Sequence, residues 1–122
     1  MEYRYHHWTE RTREIGEFLK SRLGSSPKQL STGPDLRVGE VTVEVKATNE
    51  WQRTGHANGS RRRGRFCLHG YESADYICFV LVGRRATIAR KGSMKFHLAP
   101  FASVVERFGS VATINHKYVF AE

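Results

Sequence analysis

Asp35 and the triplet Glu44-Val45-Lys46 are the residues whose types and spacing can do chemistry. From Gln29 to Thr48 the apolar pattern has a period of two, with turn chemistry at Gly33-Pro34 and Gly39-Glu40, which predicts two strands joined by a tight hairpin. Strand side chains alternate, so Glu44 and Lys46 share one face while Val43 and Val45 pack on the other. Pairing of the strands brings Asp35 to the same end of the sheet, putting two hard oxygen ligands near one cation. Such a pair suits Mg2+, with Mn2+ able to substitute. A cation held there orients a water for in-line attack on a phosphodiester and stabilises the charge that develops, with Lys46 holding that water or helping to deprotonate it.

The charge of the chain points to the same substrate. Twenty Lys and Arg against twelve Asp and Glu give 122 residues a net charge of +8, which favours a polyanionic partner. No acid occurs between Glu50 and Glu72, where Arg53, Arg61, Arg62, Arg63 and Arg65 fall. A second acid-free stretch, Tyr76 to Val105, carries Arg84, Arg85, Arg90, Lys91 and Lys95. A solvated basic face is the ordinary explanation of one such cluster. Two uncompensated clusters favour contact with phosphates, with the arginines of residues 61 to 65 clamping the backbone of DNA.

The length predicts one domain over 1–122, and 39% apolar residues suffice for a core. Ile15, Phe18, Leu19 and Leu23 define an amphipathic helix over residues 8 to 23, with Thr9 as its cap and Gly24 past its end. Residues 53 to 64, rich in glycine and arginine, predict a mobile cationic loop. The apolar run Tyr76–Val82, ended by Gly83, predicts a strand covered on both faces. Beyond it, Ala86 to Ala89 is expected as a partner strand, Pro100 to Phe108 as a short helix, and Val111 to Phe120 as a hairpin around Asn115-His116. The sum is an α/β or α+β domain around one small sheet.

Gly33-Pro34-Asp35 followed by Glu44-Val45-Lys46, after an acidic helix and before a buried strand, resembles the PD-(D/E)xK nuclease superfamily, which includes restriction endonucleases and archaeal Holliday-junction resolvases. Arg65-Phe66 and Ala74-Asp75-Tyr76, leading into the apolar strand, are similar to the segment after the active site in several such nucleases. The resemblance covers roughly residues 8 to 83. It implies a restriction-endonuclease-like core, a central mixed four- to five-stranded sheet flanked by helices. It also implies that Asp35, Glu44 and the Val45 carbonyl bind the metal, with Lys46 catalytic. The family commonly adds a glutamate from the first helix; of Glu10, Glu14 and Glu17, helical geometry places Glu14 nearest the apolar stripe and Glu17 toward solvent, so Glu14 is the choice.

The implied activity is a Mg2+-dependent endonuclease acting on branched or duplex DNA in recombination or repair. Size and basicity are similar to the resolvases, although residues 49 to 70 look mostly like loop where those enzymes carry a longer helix. The alternatives are a sequence-specific restriction or homing-type endonuclease and a non-catalytic nucleic-acid-binding module. One chain supplies one cleft, so cutting two strands calls for a homodimer. No apolar run approaches a membrane span and the N-terminal residues lack a secretory pattern, so a cytoplasmic location with reduced Cys67 and Cys78 is expected. His6, His7, His56, His69, His97 and His116 are scattered and read as ordinary surface or packing residues. Trp8 is expected in the core. Trp51 and Tyr71 border the basic loop, where they either pack or stack on bases.

Overall fold

The stripe of Ile15, Phe18, Leu19 and Leu23 does form a helix, α1 (Tyr5–Leu23), in a computed structural model that describes residues 5–53, 61–68, 74–83, 94–109 and 111–120. It starts three residues earlier than its apolar pattern suggests, so Thr9 lies inside it rather than at its cap. Gly24 ends it: its N–H donates to the Lys20 carbonyl at 2.8 Å and its φ of 88° is one that only glycine adopts without strain.

Among the described residues nine strands follow: β1 (Pro27–Gln29), β2 (Leu36–Val38), β3 (Val41–Asn49), β4 (Trp51–Arg53), β5 (Arg61–Arg63), β6 (Arg65–Cys67), β7 (Tyr76–Val82), β8 (Met94–Pro100) and β9 (Thr113–Asn115). Helix α2 (Phe101–Phe108) lies between β8 and β9, and a 3-10 turn (His116–Tyr118) follows β9. The main sheet has the order β1-β2-β3-β7-β8 and is antiparallel except for β3 against β7, which run parallel. The chain is therefore α+β around a mixed five-stranded sheet, with helices on both faces. Ribbons β4–β5 and β6–β9 are separate two-stranded pairs.

Alternation along β7 builds two cores. Cys78, Val80 and Val82 face α1, joining Val43 of β3 with Ile15 and Leu19, and Phe18 stacks on Phe96 of β8 with ring centroids 4.7 Å apart. Ile77 and Phe79 face the other way, against Phe66, Leu68, Val104 and Ile114 from β6, α2 and β9. Burial on both faces is what the continuous apolar run requires, each such side chain contributing roughly 1.5–3 kcal/mol.

Three expectations are corrected here. Residues 51–53 and 61–63 are not loop but the β4–β5 ribbon. The strand that pairs with β7 is β8, whose alternation of Met94, Phe96 and Leu98 with Lys95 and His97 marks a half-covered edge; Ala86 to Ala89 lies outside the described residues. Val111 to Phe120 is no hairpin, because β9 pairs with β6 and Asn115 instead caps the 3-10 turn, its Oδ1 accepting the Lys117 N–H at 3.0 Å.

Cys78 is fully buried on β7, and burial pushes its thiol up to about 12, whereas Cys67 on β6 is exposed. At pH 8 only about one Cys78 in ten thousand is then thiolate. Titration of the native protein with a disulfide reagent at pH 8 should show one fast thiol, the second appearing on unfolding. Two fast thiols would contradict the placement of β7.

Candidate active site

The turn Gly39-Glu40 sets the geometry. With Gly39 at φ 62°, it joins β2 to β3 in the register Val38↔Val41, Arg37↔Thr42, Leu36↔Val43. One step further along the same register, Asp35 stands across from Glu44. The Asp35 backbone carbonyl accepts the Leu30 N–H at 3.0 Å, closing the loop before it, and its side-chain Oδ2 accepts the Val45 N–H at 2.8 Å. Asp35 is exposed, and this bond fixes its carboxylate beside the strand that carries the triplet. The N–H and C=O of a strand residue leave on the same side, so the Val45 carbonyl is turned toward Asp35 as well.

Glu44 and Lys46 occupy the sheet face opposite α1, beside Ile77 and Phe79 in the parallel register with β7. That face is partly closed by the second core, and Glu44 is only 7% exposed. Lys46 Nζ lies 3.5 Å from Glu44 Oε2. Glu44 Oε1 is buried with no hydrogen-bond partner. Burial pushes the Glu44 carboxyl above its ordinary value and the Asp35 charge adds to the rise, while Lys46 and the Asp35 backbone amide act against it. Two carboxylates and one ammonium sum to −1, a locally negative point on a chain of net charge +8.

Glu14 does not join them. It is half-buried on α1 and Glu17 is exposed, as helical geometry predicts, but α1 covers the face of Val43 and Val45 rather than that of Glu44. Among the described residues no group of three His, Cys, Asp or Glu is placed to hold a metal. Arg53, Arg61, Arg62 and Arg63 lie on the β4–β5 ribbon and Arg65 on β6, with Arg63 and Arg65 exposed; Lys91 lies outside the described residues.

Two supporting residues carried no signal of their role. The Asp75 Oδ2 accepts from the Thr42 N–H at 2.9 Å and the Thr42 hydroxyl at 3.3 Å, and its backbone carbonyl accepts the Phe101 N–H at 2.9 Å, so one residue ties β3, β7 and α2 together. Gly64 donates its N–H to the Glu50 carbonyl at 2.8 Å and accepts the His116 N–H at 3.1 Å, which seats the 3-10 turn against the far end of β3. His116 is buried and neither ring nitrogen has a hydrogen-bond partner.

The chain matches no protein-family model, no curated protein and no solved structure.

Proposed function

We propose that this chain is a divalent-metal-dependent nuclease of the PD-(D/E)xK kind, hydrolysing phosphodiester bonds in DNA. The observation that carries the reading is the convergence of Asp35, Glu44 and Lys46, with the Val45 N–H holding Asp35 in place. The orphaned, buried Oε1 of Glu44 tests the fit of a metal: an oxygen that has left water without a protein donor costs free energy that a hard cation would recover. Asp35, Glu44 and the Val45 carbonyl would hold Mg2+ or Mn2+, which supplies Lewis-acid polarisation of the phosphate and a more acidic water when bound.

Around that centre the side chains divide the work. Asp35 and Glu44 would hold the cation, and with it the phosphate that the cation binds, at a fixed place beside the strand. Lys46 holds the attacking water through its ammonium and offsets the negative charge that grows on the phosphorus oxygens. A bond forms from water oxygen to phosphorus and the phosphorus–oxygen bond on the opposite side breaks, leaving a phosphate on one fragment and a hydroxyl on the other. The resemblance to junction resolvases makes branched DNA the preferred substrate, with two copies needed to cut both strands.

The test is incubation with a four-way junction, a linear duplex and a single strand in Mg2+ or Mn2+. Cleavage is expected, and Asp35→Asn should reduce it by more than about 100-fold, since outer-shell partners of a metal alone account for about 10–100-fold. Binding in Ca2+ should survive the substitution. No cleavage of any substrate, or equal cleavage by Asp35→Asn, overturns the proposal.

A further inference from the structure

Alternation along β2 turns Leu36 and Val38 toward α1, which leaves Arg37 on the opposite side of the sheet, the side of Asp35 and Glu44. The residue across from Arg37 on β1 is Lys28. Its neighbour Pro27 lies on the α1 side, beside Gly16, so Lys28 faces the same way as Arg37. Both side chains are exposed. Helix α1 covers the other face, and the second core, built on β7, draws none of its described residues from β1 or β2.

Two cations directly opposite on neighbouring strands repel each other. Neither Lys28 nor Arg37 makes an ion pair or side-chain hydrogen bond with a described residue, and the acids of this face are engaged elsewhere: Asp35 with the Val45 N–H, Asp75 with Thr42, Glu44 with Lys46. An anion laid over the pair would relieve the repulsion. A nucleic-acid backbone is such an anion, and it has to approach two carboxylates that repel it, so cations are needed beside them. At about 3.3 Å per residue Arg37 stands about 7 Å along β2 from Asp35, and Lys28 about 5 Å further across the strands. Phosphates of one DNA strand advance about 3.4 Å along the helix axis. From these features we infer that Lys28 and Arg37 form a platform that grips the backbone of the strand being cut, within about three nucleotides of the phosphate at the carboxylates. The inference rests on the nuclease reading and adds the element that seats the substrate strand.

Affinity for a fluorescent DNA duplex is measured in Ca2+ with the full chain and with Lys28→Gln/Arg37→Gln. The control is Lys20→Gln/Arg22→Gln, which removes the same charge from the exposed last turn of α1, on the other side of the sheet. For Lys28→Gln/Arg37→Gln we expect Kd to rise about tenfold or more, and the slope of log Kd against log salt to flatten by about 1.8, the value for two lost phosphate contacts. Its melting temperature should not fall, because a like-charge opposition has been removed. The control should stay within about threefold of the wild-type Kd. Lys28→Glu, which sets opposite charges across the two strands, should keep the fold and weaken binding, whereas a purely structural role would leave binding unchanged. An unchanged Kd and slope for Lys28→Gln/Arg37→Gln, or an equal loss in the control, overturns the platform. Cleavage in Mg2+ with unchanged affinity in Lys28→Gln/Arg37→Gln rejects the platform alone. The expected loss of affinity in a protein that never cleaves rejects the catalytic reading alone, and a wild type that binds no duplex rejects both.

Discussion

Glu44→Gln should melt at a higher temperature than the wild type at pH 7.5 while cutting DNA more than about 100-fold more slowly. The two effects have one cause. Glu44 is buried beside Ile77 and opposite a second carboxylate, and its proton affinity is raised despite Lys46 at 3.5 Å, so the ionised form is worse off in the folded chain than in water. A carboxyl with a raised folded-state pKa contributes stability below its unfolded value near 4.5, and that contribution is lost as pH rises through the folded value. Glutamine mimics the neutral form, so its advantage should be largest at neutral pH and shrink as pH falls toward 4.5, where wild-type Glu44 takes up its proton. A divalent ion favours the ionised form instead. Mg2+ should therefore raise the melting temperature of the wild type, more so at pH 7.5 than at pH 5, and should leave Glu44→Gln unmoved. A variant that melts lower at neutral pH, or that still cuts, contradicts this account of Glu44.

Gly64→Ala should cost about 3–5 kcal/mol of folding free energy, a large part of the roughly 5–15 kcal/mol that holds a domain. A Cβ at this position would lie 1.7 Å from the Asn49 carbonyl oxygen and 2.6 Å from Thr48 Oγ1. The neighbour that must yield is backbone of β3, which is fixed along its length by pairing to β7. Gly64 cannot retreat either, because its N–H and C=O are both bonded, to Glu50 and His116. Gly24→Ala is the control. Its φ of 88° carries strain but nothing lies within 4 Å of the new methyl, so about 1 kcal/mol is expected. Urea unfolding of the three proteins decides it; equal midpoints for Gly64→Ala and Gly24→Ala would remove the close approach from the description of this fold.

The site's framework was legible where local rules act alone. Period two sorted Glu44 and Lys46 from Val43 and Val45, Gly39 marked the turn that sets the register, and the run Tyr76–Val82 declared a strand buried on both faces. Glu14 shows where local rules stop: the helical wheel placed it correctly at the edge of the apolar stripe, but which sheet face α1 covers is decided by packing between distant segments. The β4–β5 ribbon was missed because glycine and arginine have little strand preference and the pairing spans an intervening segment. Asn115 resembled a hairpin turn because the residue types that make turns also cap helices. Asp75 and Gly64 matter through partners more than ten residues away, which spacing does not encode.

β3 bears Glu44, Lys46 and Thr48 on one face and is anchored past its end, where Glu50 donates its N–H to the Val82 carbonyl and accepts the Gly64 N–H. Length changes here are constrained accordingly: one residue added between Lys46 and Asn49 would turn the rest of the strand over against β7 and move Thr48 off the face it shares with Glu44, whereas two would restore that facing.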